Sequence, residues 1–195
     1  MTIIRVNPAS VAAYGSAASQ IFAGIHAELV GLTNQVVEVR YFGPNAVGFK
    51  TECGNIAVDF GRRIHADLAA MADAVRVATS NIAASLGGQA INMTVEPLTL
   101  TPPTVQAVDF VDVDTSALEA LIPAVQARFA GISERLSNNL TQLQQTDWEG
   151  NSKQEAVGAV SSFTQLAQSK CGEAQQLITK FIGDQVRAVT GVDRG

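Results

Sequence analysis

Apolar side chains recur at spacings of three and four along most of the chain. The first run is Val11, Tyr14, Ala18, Ile21, Ile25, Leu29, Leu32, Val36 and Val39. A second takes in Phe49, Cys53, Ile56, Phe60, Ile64, Leu68, Met71, Val75, Ile82 and Leu86. A third runs through Leu118, Ile122, Val125, Phe129, Ile132, Leu136, Leu140 and Leu143, and a fourth through Val160, Phe163, Ala167, Cys171, Ala174, Ile178, Phe181 and Val189. That period is an amphipathic helix with a nearly heptad seam, and it predicts four helices. Each should be ~30 to 40 residues long, hence ~50 Å at 1.5 Å per residue. Asn7 with Pro8, and Asp114 with Thr115 and Ser116, supply helix-start signals. Pro123 lies two turns into the third helix, where its missing N–H predicts a bend but not a break.

The chain is also written twice. The segment "IFAGIHAEL" from Ile21 to Leu29 returns as "RFAGISERL" from Arg128 to Leu136. The offset is 107 positions, which places Phe22 on Phe129, Val6 on Val113, Ala13 on Ala120 and Ala17 on Ala124. Carried forward without a gap, it places Tyr41-Phe42-Gly43 on Trp148-Glu149-Gly150. Each half therefore holds two helices joined by an aromatic-x-Gly turn. Glycine there supplies the backbone conformation that a tight interhelical turn needs.

Between the halves, "GGQAINMTVEPLTLTPPTVQAVDFVDVD" carries three prolines and alternating Thr and aliphatic residues, the marks of extended chain. The expected organisation is a first hairpin over 1–87, an extended linker over 88–114 and a second hairpin over 115–195, both hairpins sharing one bundle. A linker of some 25 residues reaches ~80 Å at ~3.3 Å each, enough to run the length of a ~50 Å bundle. That length argues for hairpins packed antiparallel, with an all-α four-helix bundle as the result. In such a bundle Cys53 lies ~15 Å from the first turn and Cys171 ~32 Å from the second, so the two thiols share one layer. Two buried, unbonded thiols are the expected state, with a Cys53–Cys171 disulfide the alternative.

Composition narrows the function. The 195 residues are 47% hydrophobic but only 6% aromatic and 16% charged, which favours close-packed helices over a sandwich or barrel. A net charge of −5 gives no basic footprint for nucleic acid. No apolar run approaches the ~20 residues of a membrane span. "MTIIRVNPAS" lacks the features of a general secretory signal, so export, if it occurs, is expected by another route. Two cysteines are too few for a disulfide scaffold.

An aromatic-x-Gly turn between two long helices, in units of about a hundred residues, is similar to the WXG-motif family. Its members are small substrates of type VII (ESX) secretion in actinobacteria and related Gram-positive bacteria. Trp148, Glu149 and Gly150 match the motif literally; in the first half Tyr41 stands for tryptophan and Gly43 is kept. Family members are helical hairpins that dimerise antiparallel into four-helix bundles. The resemblance covers some 170 residues and implies a fused tandem, one chain supplying both hairpins, secreted or at the cell surface. The family's export signal is a tyrosine followed four positions later by Asp or Glu. Neither Tyr14 nor Tyr41 stands in that position, and Phe181 with Asp184 substitutes poorly. A partner carrying the signal, or an intracellular scaffold, are the readings this leaves.

No catalytic constellation competes with an interaction role. His26 and His65 have no set of Cys or carboxylates around them to complete a metal site, and Glu28, Asp59 and Asp67 read as solvated helix flanks. There is no phosphate loop or nucleophile elbow. A non-enzymatic protein without cofactor or metal is expected, monomeric because its partner hairpin is built in. Its ligand is a protein partner or the export machinery. The alternatives are a membrane-active effector, disfavoured because the polar faces lack Lys and Arg, and a self-assembling structural protein.

Overall fold

The computed structural model describes residues 4–86 and 90–192. Gly87 at the end of the expected first hairpin, Gly88 and Gln89 of the expected linker, and the side chain of Leu86 in the second stripe lie outside the described residues. The fold is all-α, with four helices, α1 (Pro8–Glu38), α2 (Pro44–Leu86), α3 (Thr115–Gln144) and α4 (Asn151–Val192), consistent with a four-helix bundle. Four two-residue strands complete it: β1 (Arg5–Val6), β2 (Tyr41–Phe42), β3 (Asp112–Val113) and β4 (Trp148–Glu149). They are too short for any periodicity to announce them. α3 runs unbroken through Pro123.

Both predicted helix starts are capped. Ala9 and Ser10 donate their N–H groups to Asn7 Oδ1 (3.1 and 3.3 Å), and Ala117 donates to Asp114 Oδ1 (3.0 Å). Each cap satisfies amides that the first helical turn leaves without an intrahelical acceptor.

The chain forms two compact units, each drawing a segment from all four helices. The first comprises Met1–Ile25, Arg63–Pro97 and Ser133–Ser169; the second comprises His26–Arg62, Leu98–Ile132 and Lys170–Gly195. In the first unit Val11, Tyr14, Phe22, Leu68, Val75, Leu136, Leu143, Val160 and Phe163 are buried. The chain after α2 is tied to this unit by two side chains. Ile91 N–H donates to Thr79 Oγ1 (2.9 Å), and Thr94 N–H donates to Ser19 Oγ (3.0 Å). Inside this unit the Tyr14 hydroxyl donates to Asn139 Oδ1 at 3.1 Å, with both residues buried.

In the second unit Leu29, Leu32, Val36, Phe49, Leu118, Val125, Ile132 and Ile178 are buried, and Phe60 meets Phe129 edge-on at 5.4 Å. Leu98 and Leu100 of the linker are buried here, and Pro103 lies so close to Gly54 that a side chain at that position would collide with its ring.

The predicted stripes are right in period and off by one residue in places. Leu121, Asn139 and Ile182 are buried, whereas the predicted Ile122, Leu140 and Phe181 are only half-buried. A straight helix drifts ~20° per heptad against a strict seven-residue repeat, so the inward position slips to a neighbour along a helix of this length. Asn139 could not be found by apolar periodicity at all. Its counterpart at the 107-residue offset is Leu32, and that of Tyr14 is Leu121, both buried in the second unit. One copy thus carries a buried polar pair where the other is apolar.

That pair yields a test. Tyr14→Phe removes the donor and leaves the Asn139 amide buried without it, a loss expected at ~1 to 3 kcal/mol in urea unfolding. The double variant Tyr14→Phe, Asn139→Leu should recover most of the loss, because no polar group is then stranded. A double variant no more stable than the single one would mean that the pair does not act through hydrogen-bond satisfaction.

Candidate functional site

The two aromatic-x-Gly turns are the same object built twice. Gly43 and Gly150 share a φ of 123°, a backbone region that residues with a Cβ rarely enter. Tyr41 N–H donates to the Val39 carbonyl (2.7 Å), and Trp148 N–H donates to the Thr146 carbonyl (2.8 Å), at equivalent positions. The following helix begins identically, with the Gly43 carbonyl accepting from Ala46 and the Gly150 carbonyl from Lys153, both at 3.1 Å.

Each turn is paired with the chain that leads into the other hairpin. Strand β4 runs antiparallel to β1, setting Trp148 opposite Val6, and β2 runs antiparallel to β3, setting Tyr41 opposite Val113. Asn7 N–H donates to the Asp147 carbonyl (2.8 Å), and Asp114 N–H to the Arg40 carbonyl (2.9 Å). The sequence motif therefore marks a junction between the two halves as well as a bend within one.

A lysine closes each junction, from a different position each time. Lys50 Nζ donates to the carbonyls of Val37 (2.6 Å) and Val39 (2.9 Å), and Lys153 Nζ donates to those of Gln144 and Thr146 (both 2.9 Å). These four carbonyls are equivalent at the offset of 107, although the lysines are not. Carbonyls at a helix C-terminus have no intrahelical donor and carry partial negative charge, so an ammonium group suits them. Sequence reading missed both lysines. The available signal was a lysine within two turns after each motif glycine.

The rings fill their turns differently. Trp148 is 1% exposed, and its Nε1–H is buried without a hydrogen-bond partner among the described residues. A void of about 10 Å³ beside it, lined by Val6, Val11 and Ile82 among others, is at the lower limit of what one water needs. At the first turn the smaller Tyr41 is joined by Phe49, 5.7 Å away, which in turn stacks on Phe181 at 5.7 Å. The counterparts of Phe49 and Phe181 at the second turn are Ala156 and Ala74. Three rings in one turn do the filling that a single indole does in the other. Gln185 Nε2 donates to the Tyr41 hydroxyl at 2.6 Å, and its counterpart is Ala78.

The outer surfaces diverge further. Phe42 is 37% exposed, Phe110 58% and Val111 73%, and the two phenyl rings are 6.0 Å apart. Lys50 Nζ stands 5.0 Å from the centre of the Phe42 ring, a cation–π distance. Burial pushes the Lys50 ammonium below its ordinary pKa. Beside these residues a groove of about 990 Å³ is lined by Phe42, Pro44, Val111, Val113, Ala188 and Val189, with others. At the second turn the residue equivalent to Phe42 is Glu149, which is charged and exposed. A cluster of large exposed apolar side chains around a groove is the surface signature of an interaction site.

Of the residues singled out in the sequence, Tyr41, Gly43, Trp148 and Gly150 fall at the two junctions, with both rings buried. Cys53 and Cys171 are buried thiols in the second unit. Burial, helped by the charge of Glu52, pushes the Cys53 thiol up to about 12. Among the described residues no group of His, Cys, Asp or Glu could hold a metal ion, and no helix is long and apolar enough to cross a membrane. No family model, curated protein or solved structure matches the chain.

Two outcomes follow from this geometry. Trp148→Ala should cost ~3 to 5 kcal/mol by the large-to-small rule for buried aromatics. Trp148→Phe should cost clearly less, because it keeps a ring and removes the unpartnered N–H. An alanine variant within ~0.5 kcal/mol of the parent would be surface behaviour and would contradict the burial.

The thiol sets a pH dependence. Because folding raises the pKa of Cys53, its contribution to stability is fully present below the unfolded thiol's ~8.5 and is lost as pH rises toward about 12. Burial of the Tyr14 phenol raises its pKa too, so it acts in the same direction. Urea midpoints should be flat from pH 7 to 8 and fall above pH 9, with a shallower fall in Cys53→Ala. A thiol reagent at pH 8 should label neither cysteine until denaturant is added. Rapid native labelling of Cys53 would rule this out.

Proposed function

We propose that the chain is a fused pair of WXG-like hairpins that acts without catalysis, as a type VII secretion-associated protein that binds another protein. The observation that carries this reading is the duplicated junction. Two aromatic-x-Gly turns share one backbone conformation, and each pairs with the strand leading into the other hairpin. Reciprocal pairing of that kind is what two antiparallel hairpins require, and the chain supplies both of them itself. In this arrangement the linker joins the two hairpins along their length, and Cys53 and Cys171 lie in one layer. The protein is then a monomer whose hairpin–hairpin surface is already occupied.

An outside partner must use another surface, and we assign to it the apolar groove beside Phe42 and Val111. The polar residue Glu149 at the second turn supports assigning the contact to the first turn. In a host with an active type VII system, the chain is expected in the culture filtrate and expected to remain in cells when that system's ATPase is inactivated. Filtrate levels that ignore the ATPase would end the secretion reading. Phe42→Glu, which copies the second turn, should lower export or partner binding at least several-fold while leaving the thermal midpoint within a few degrees. Dye release from anionic vesicles by the purified chain would favour a membrane-active role instead.

A further inference from the structure

The duplication gives every inter-hairpin contact a counterpart at the offset of 107, and the contacts on the two sides are not copies of one another. Arg5 pairs with Asp147 (3.4 Å) in the first unit, and Arg40 pairs with Asp112 (3.0 Å) in the second. Arg5 is equivalent to Asp112, and Arg40 to Asp147. The same two sites thus carry an ion pair in both units, with its polarity reversed. On one side the leading strand is basic and the turn acidic; on the other the leading strand is acidic and the turn basic.

The helix seam is asymmetric in charge as well. Arg128 Nη1 donates to Glu28 Oε2 at 3.0 Å, with both side chains mostly shielded, and its Nε reaches Gln35. The counterpart of Glu28 is Arg135. Glu28 lies over Gly131, where an added Cβ would meet its Oε1 at 3.2 Å, and Arg135 lies over Gly24, which is equivalent to Gly131. Each hairpin therefore offers a glycine to a long charged side chain of the other, and the two side chains have opposite charge. The buried pair Tyr14–Asn139, with apolar counterparts Leu121 and Leu32, makes a further asymmetric contact.

We infer that this seam is a recognition surface that accepts the unlike hairpin and rejects a second copy of the same one. Pairing two first hairpins sets Arg5 against Arg40 and buries the Tyr14 hydroxyl against leucine. Pairing two second hairpins sets Asp112 against Asp147, brings Arg128 to Arg135 and buries the Asn139 amide against leucine. Like charges and stranded polar groups act against the wrong pairing, which is how specificity is obtained when the right pairing adds little affinity of its own. The partner that this surface fits is a hairpin of complementary pattern. That hairpin is the other half of the same chain. The inference rests on the contacts and the duplication, and it holds whether or not the protein is secreted.

The full chain tests it by charge permutation. Two like-charged variants are made, Asp112→Arg with Asp147→Arg, and Arg5→Asp with Arg40→Asp. A third variant carries all four substitutions and so restores both pairs with polarity exchanged. The like-charged variants should melt ~3 to 6 °C below the parent at low salt, a scale set by exposed pairs in a chain of this size. The quadruple variant should return to within ~1 to 2 °C of the parent, and 1 M salt should close most of the gap, because exposed charges are screened. Additive losses in the quadruple variant would overturn the proposal, and so would like-charged variants that melt with the parent. For the part-buried contact, Glu28→Arg sets an arginine against Arg128 and should lower the midpoint more than Glu28→Gln. Equal losses would show that Glu28 acts by packing and not by charge.

Discussion

Each interhelical turn is completed by chain from the other half of the sequence. At a turn the outgoing helix leaves carbonyls without donors and the incoming helix leaves amides without acceptors. A ring buried at such a place needs both kinds of group satisfied around it, since water cannot reach them. Here the leading strands β1 and β3 provide the backbone pairing and Lys50 and Lys153 provide the ammonium groups. Neither hairpin holds all of these parts. Its turn is finished only when the other hairpin's leading strand arrives, so packing the helices and closing the turns are one event.

That shared requirement explains what has been kept and what has been free to change. The backbone at Gly43 and Gly150 is the same, because the φ it needs excludes almost every other residue. Volume is conserved differently: one indole, with alanines at the positions equivalent to Phe49 and Phe181, or one phenol with two further phenyl rings. Either filling closes the turn, in keeping with the tolerance of cores for exchanges that preserve total volume. Outside the buried layer nothing constrains the sequence equally in both copies. There Phe42 has become apolar and exposed, while Glu149 is charged.

The parts of this structure legible in the sequence are those with a long period or a duplicated register. Four helices, their starts at Asn7 and Asp114, and the two glycine turns follow from spacing alone. The inward residue at each step does not, because a small angular drift exchanges Ile122 for Leu121 or Leu140 for Asn139. The strands escaped notice because two residues carry no alternation. Lys50 and Lys153 escaped because a lysine on an amphipathic helix reads as a solvated side chain. Only the fold shows that its ammonium reaches back to a helix end. The exposed cluster was hidden for a related reason: Phe110 and Val111 belong to the linker and Phe42 to the turn, and only folding brings the two rings together and sets Val111 beside Phe42 in the groove.

The same divergence separates two tasks that a duplicated chain must keep apart. Residues at the seam must distinguish one half from the other, or the halves of neighbouring chains would pair at random. Opposed charges at equivalent positions do this cheaply, since each pair is exposed and contributes little to stability in its correct form. The exposed faces of Phe42 and Glu149 at the turns meet no such demand. Under the proposed function the seam is satisfied within the chain, so a further partner must be recognised by chemistry that the seam does not use. A groove lined by Phe42, Val111 and Val189 is apolar where the seam is ionic. With a phenyl ring at Phe42 and a carboxylate at Glu149, a pseudo-symmetric fold presents two turns of unlike chemistry to a partner.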